Sequence, residues 1–163
     1  MAGIVLTDAS PLIGLAHVDG LPWLHSLFGS VWMPPEVYSE VVTHRGFTGE
    51  QAVLDAVAAG WLKVSDAAPP EPDLPDLDEG EAACIRLALA GGMPALLLMD
   101  ERAGRAVAQE HGLRVAGTAA VIGMAKTRGL IASARDVFTH LHASDFRISA
   151  QVIVSVLQRV GEG

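Results

Sequence analysis

The sequence predicts an α/β domain in which a mostly parallel sheet carries helices on both faces. Three observations lead there. Two apolar runs, IVL at 4–6 and ALLLM at 95–99, do not alternate with polar residues, the pattern of strands buried on both faces. Segments of helical character separate these runs from each other and from shorter apolar stretches. Half of the 163 residues are apolar, which suits one domain with a real core and excludes a disordered chain.

Gly3–Thr7 reads as the first strand. Ser10-Pro11 then reads as a helix start, with Ser10 as N-cap and Pro11 at the first helical position. A second short helix runs through Trp23–Phe28. Val31–Met33 is a short strand stopped by Pro34-Pro35, and PEVYSEVV continues as a helix opened by Pro35. Thr48 with Gln51 three residues later makes a capping box, so Gly49–Ala59 is helical and Gly60 closes it. Trp61–Val64 is a strand, and AAPPEPDLPDL is a loop. Asp78 with Glu81 repeats the capping-box spacing and opens a helix that runs to Ala90 and ends at Gly91-Gly92. Ala95–Met99 is the second fully apolar strand. A helix through Gln109 follows, then a brief strand around Arg114–Val115 and a helix over Thr118–Arg128. Two further helices fill Ala134–His142 and Ser149–Val160. There is no internal repeat and no second domain: residues 1–163 form one domain, on which the C-terminal helices at about 134–160 pack.

The formal charge of −8 is unevenly placed. Seven acids and no base lie between Asp66 and Glu81, and the remaining 12 acids face 11 Lys and Arg. The acidity is thus a solvated loop rather than a global property. Net charge does not favour a nucleic-acid partner, but a local basic patch is enough to bind one. The single cysteine, Cys84, allows neither an intrachain disulfide nor a thiol cluster for zinc. No basic residue precedes the first apolar stretch, as a secretory signal requires. The apolar run Leu87 to Met99 is too short and too broken by Gly and Pro to span a bilayer. The expected location is the cytoplasm, without membrane contact.

The stretch GIVLTDASPL poses the functional question. A helix cap is already supplied by Ser10, yet a charge, Asp8, stands between the strand and the cap. In an open parallel sheet, ligands bind beyond the carboxyl ends of the strands, where strand order reverses. Asp8 ends the first strand and Asp100 ends the ALLLM strand. If those strands are neighbours, both carboxylates stand at one edge. Two buried like charges a few ångströms apart do not both ionise without compensation, and a divalent metal compensates them. Oxygen-only ligands suit Mg²⁺ or Mn²⁺. Each acid also has a plainer reading. Asp100 N-caps the helix beginning at Glu101, Glu81 is the reciprocal half of its capping box, and Glu40 is a solvated helix residue. Asp78 and Glu79 read as cap and first-turn charges. Asp8 is the hardest to explain away.

Arg102 and Arg105 lie three apart on one helix face, where they hold phosphates or pair with Glu101 and the acidic loop. Thr118 caps its helix or brings its hydroxyl to the site. Lys126 and Arg128 answer the dipole at a helix end. The six histidines lack the spacing of a zinc site, and no glycine-rich phosphate loop is present. Trp23, Phe28, Trp32 and Trp61 read as core.

TDASPLIGLA, PPEVYSEV, DEGEAACIRLALA and LLLMDERAGRAVAQEHGLRVAGT, in this order, resemble the PIN-domain nuclease family, and within it the prokaryotic branch related to VapC-type toxins. The similarity covers nearly the whole chain. It implies a three-layer α/β/α sandwich with a mostly parallel central sheet of four to five strands. It implies metal-dependent endonucleolytic cleavage of RNA with Mg²⁺ or Mn²⁺. It carries over four acids: Asp8 after the first strand, Glu40 on the helix after the second, Glu81 on the central helix and Asp100 after the fourth strand. Asp8, Glu81 and Asp100 are then the expected metal ligands, Glu40 acts through water, and Arg102, Arg105 and Thr118 face the substrate. The central acid is Glu where the toxins commonly have Asp, and Gly104 and Arg105 stand where many members carry a further acid. The resemblance also implies a small antitoxin partner and a homodimer, to which the apolar helix Ala119–Ala125 would contribute.

Two other classes compete. One is a PIN fold kept as an interaction module, with the acids as relics; little Mn²⁺ affinity would mark it. The other is phosphoryl transfer on an α/β sheet. A dehalogenase-like phosphatase needs a second Asp where Ser10 stands, and a receiver-type phosphoacceptor needs a late lysine, whereas the lysines are Lys63 and Lys126.

Overall fold

The computed structural model describes residues 3–43 and 49–163. Thr48, and with it the expected Thr48–Gln51 capping box, lies outside them. The elements run β1 (Ile4–Thr7), α1 (Ala9–His17), α2 (Leu21–Phe28), β2 (Val31–Met33), α3 (Pro35–Thr43), α4 (Glu50–Ala59) and β3 (Leu62–Val64). They continue with α5 (Glu79–Ala90), β4 (Ala95–Leu98), α6 (Arg102–Glu110), β5 (Arg114–Ala116), α7 (Thr118–Thr127), α8 (Ala134–His142) and α9 (Ala150–Arg159).

The five strands of the sheet are all parallel, in the order β3-β2-β1-β4-β5. The two apolar runs of the sequence are therefore the two central strands, paired from Ile4 against Ala95 to Thr7 against Leu98. Central placement explains their lack of alternation, since both faces of each are covered. From β1 the chain winds to β2 and β3. From β4 it winds the other way to β5. Right-handed crossovers in opposite directions put α1–α4 on one face and α5–α6 on the other. The helix after β5, α7, packs against α1, α2, α8 and α9. Strand order thus reverses between β1 and β4, and a crevice opens beyond their carboxyl ends.

One helix start differs from the sequence reading. Ser10 does not cap α1. The helix begins at Ala9, and Asp8 is its N-cap residue, without a side-chain cap bond. Pro11 consequently sits in the first turn rather than at its first position, which costs nothing because the leading N–H groups of a helix have no intrahelical partner. The Asp78–Glu81 capping box forms in full: Glu81 N–H donates to Asp78 Oδ1 at 2.8 Å, and Asp78 N–H donates to Glu81 Oε1 at 3.3 Å.

The helix Ala119–Ala125 is largely buried, with Ala120 and Met124 partly exposed. Ala119, Val121, Ile122, Gly123 and Ala125 are buried within the chain, under α1, α2 and α9. Lys126 likewise does more than answer a dipole. Its Nζ donates to Ala132 O and lies 3.8 Å from the Glu162 carboxylate, which also accepts the Ala134 and Arg135 N–H groups at the start of α8.

Candidate functional site

Asp8 follows directly on β1, and its N–H donates to Leu98 O at 2.9 Å, so its backbone is still tied to β4. Its side chain is only 5% exposed. Burial pushes its carboxyl from 3.8 up to about 7. The Ala9 N–H pulls the other way, and the charges of Asp78, Glu81 and Glu40 push further up. Asp8 Oδ1 lies against the start of α5: a Cβ on Gly80 would sit 3.0 Å from it and 3.1 Å from Val37 of α3. The absence of a side chain at Gly80 lets the three elements meet.

Glu81 is the second buried acid, also 5% exposed. The capping box engages Oε1, while Oε2 is buried and has no hydrogen-bond partner among the described residues. Burial raises its carboxyl, the Asp78 N–H opposes that, and the charges of Asp78 and Glu101 add to the rise. The plain reading of Glu81 as a capping residue and the functional one are therefore both accommodated, one on each oxygen. Oε2 points to the first turn of α6, since a Cβ on Gly104 would lie 2.8 Å from it and 2.7 Å from Met99 Sδ. We predict that Gly104→Ala displaces Glu81 or Met99 and costs about 1–3 kcal/mol, read as a lowered Tm.

Asp100 stands beyond β4, one strand from Asp8, as the sequence requires. It does not cap α6, whose N-cap is Glu101. Instead it gathers hydrogen bonds: Ser10 Oγ and Thr118 Oγ1 donate to Oδ2 at 2.8 Å each, and Thr118 N–H donates to Oδ1 at 2.7 Å. Thr118 thus brings both N–H and hydroxyl to the site edge, and Gly117, not Thr118, is the N-cap of α7. Glu40 is exposed on α3, with its charge felt at Asp8.

The expected trio Asp8, Glu81 and Asp100 is not gathered around one point. Among the described residues, no three Asp, Glu, His or Cys side chains converge closely enough to hold an ion together. The donor set nevertheless fits a hard divalent cation. It is oxygen-only, it contains an orphaned buried carboxylate oxygen, and the charge of Glu81 adds to the rise of the Asp8 carboxyl, which a cation relieves.

Sequence reasoning missed Ser10 as a partner of Asp100, Glu101 as a charge beside Glu81, and Glu36, whose Oε1 is also buried without a partner among the described residues. The adjacent acids of MDER could have flagged Glu101; nothing local flags the other two. Beyond Asp100 the crevice widens into a groove of about 870 Å³. Arg102, Arg105 and Glu101 of α6 line one side, and Ser149 and Arg159 of the α9 region line the other. Arg105 is anchored by a 3.0 Å bond from Nη1 to Met99 O, and Arg102 is exposed.

A doubly wound sheet with buried acids beyond the carboxyl ends of its central strands defines an α/β domain with a candidate site at its strand-order switch. A family model described as DUF3368, PIN domain, matches residues 4–162, and the chain belongs to the PIN-domain family. Among solved structures, the chain is similar to a PilT N-terminus domain protein from the hyperthermophilic archaeon Sulfolobus solfataricus P2. The TM-score is 0.53 at 13% identity, over 90% of this chain and 99% of that one, a likeness of fold. No curated protein matches. Among the described residues, no helix is long and apolar enough to cross a membrane.

Proposed function

We propose that this chain is a divalent-metal-dependent endoribonuclease, acting as the toxin of a toxin–antitoxin pair. The observation that carries the reading is the pair of buried carboxylates, Asp8 and Glu81, at the switch point of the sheet, one of them with an unpartnered oxygen. Glu81 Oε2 has no partner among the described residues, and burial of such an oxygen is costly.

Asp8 and Glu81 would hold Mg²⁺ or Mn²⁺ with a further carboxylate from the corner between β4 and α6. When bound, such an ion lowers the pKa of a water molecule and stabilises charge on phosphate oxygens. The chain's own residues do the rest. Glu40, on the rim, orients the attacking water. Asp100 locks Ser10 and Thr118, which fixes the corner where α1, α6 and α7 begin. Arg102 and Arg105 present guanidinium groups to the phosphates of the strand lying in the groove. Arg102→Ala should weaken RNA binding about equally across sequences and flatten the salt dependence by about one unit of slope. Fluorescence anisotropy of a labelled single-stranded RNA at several salt concentrations checks this.

The antitoxin partner, the homodimer and the cytoplasmic setting belong to this proposal by family resemblance. Co-purification of a small protein from the native host, and sedimentation of the pure chain, test the first two. The activity itself is tested on a circular single-stranded RNA, which offers no ends. Linearisation with Mn²⁺ that stops with chelator is the expected result. Intact circles at millimolar Mn²⁺, together with no Mn²⁺ binding, contradict it and favour the interaction module.

A further inference from the structure

We propose that the groove holds an RNA strand in one orientation, its phosphodiester backbone along α6 and its unpaired bases against α9, so that Val152 and Ser155 set the base preference. This orientation rests on the ribonuclease reading above and deepens it by giving each wall a role. Four of the eleven Lys and Arg of this acidic chain, Arg102, Arg105, Arg147 and Arg159, line the groove, which suits it to a polyanion. The two walls differ in chemistry. One face of α6 brings Arg102, Arg105 and Gln109, at intervals of three and four residues. Guanidinium groups one turn apart suit phosphates, which are alike in every nucleotide.

One face of α9 brings Ser149, Val152, Ser155 and Val156, and no cation stands among them. Arg159 closes the far end of that wall. Arg147 precedes the helix, and its Nη1 donates to the backbone carbonyls of His142, Ser144 and Phe146. Val152 is 44% exposed, an apolar side chain left uncovered on a groove wall. The Ser155 hydroxyl is exposed one turn further on, and Ser149 Oγ accepts the Val152 N–H while keeping its own proton to donate. Apolar contact and hydroxyl groups suit base faces and base edges, which differ between nucleotides. The acid pocket fixes the same orientation. The unpartnered Oε2 of Glu81 is aimed at the first turn of α6, so the phosphate to be cut lies at that turn and the backbone continues along α6. The bases then face α9, and only unpaired bases reach it.

The test measures the affinity of the full chain for labelled oligo-A, oligo-C and oligo-U RNA by fluorescence anisotropy, in chelator so that no strand is cut. Val152→Ser made together with Ser155→Ala should change the ratio between the tightest and the weakest oligomer by about fivefold, while Arg102→Ala weakens all three about equally. Val154→Ser, at a side chain 52% exposed on α9 but off the groove, should change none of them. Val152 and Ser155 are exposed, so their variant folds. A ratio unchanged in that variant, with binding intact, overturns the orientation and leaves the ribonuclease reading standing. Losses in Arg102→Ala that differ between oligomers overturn it too. An unaltered chain that binds none of the three overturns the ribonuclease reading with it and leaves an acidic peptide as the occupant of the groove.

Discussion

Asp8→Asn should stabilise the metal-free protein at pH 8, by on the order of 2–4 kcal/mol. The sign follows from the proton. In the unfolded chain the Asp8 carboxyl titrates near 3.8, and burial beside Asp78, Glu81 and Glu40 lifts it to about 7 in the fold. Below about pH 4 both states hold the proton, so this group favours neither. Between about 4 and 7 the unfolded chain ionises first, and stability drains away as pH rises. Above about 7 the folded protein carries a buried charge at full cost. The Asn variant has no such loss. Chemical denaturation in chelator across pH 4–8 reads the difference. The two stability profiles should diverge through that window; parallel profiles would contradict a buried, proton-binding Asp8. The same substitution should lower cleavage by about a thousandfold, as loss of a group that organises charge in a reaction centre does. Asp8 therefore stands where it harms the empty fold, which answers why a charge sits between the first strand and its helix.

Asp100→Ala should act in the opposite sense and destabilise the protein by about 2–4 kcal/mol, because it leaves three donors without their acceptor. For a chain of this size the drop in Tm is about 5–12 °C. Ser10→Ala and Thr118→Val remove parts of the same network. Each should cost less alone, and neither should add its full cost to Asp100→Ala. Strict additivity would show that the bonds at Asp100 are independent of one another. A loss below about 0.5 kcal/mol would show that they contribute nothing.

These two acids also show what the sequence could and could not reveal. The central strands were legible because burial on both faces leaves an unalternating run, and IVL and ALLLM are the unalternating runs that pair. The Asp78–Glu81 box was legible because its geometry is set by a spacing of three within one turn. The start of α1 was not. Ser10-Pro11 carries the chemistry of a helix start, but any position in a first turn tolerates Pro, so the signal fixes the turn and not the residue. Ser10, released from capping, bonds an acid 90 residues away, and only the pairing of β1 with β4 makes that contact. For the same reason the sequence placed Asp8 and Asp100 on one edge correctly but could not tell which way Asp100 turns.

The most direct test of the central claim sets three proteins side by side on one single-stranded RNA pool: the unaltered chain, Asp8→Asn and Glu81→Gln, each with Mn²⁺, Mg²⁺ or chelator. The account predicts internal cuts by the unaltered chain with metal, none with chelator, and none by either variant. Cuts that persist in both variants, or that ignore the chelator, would contradict it.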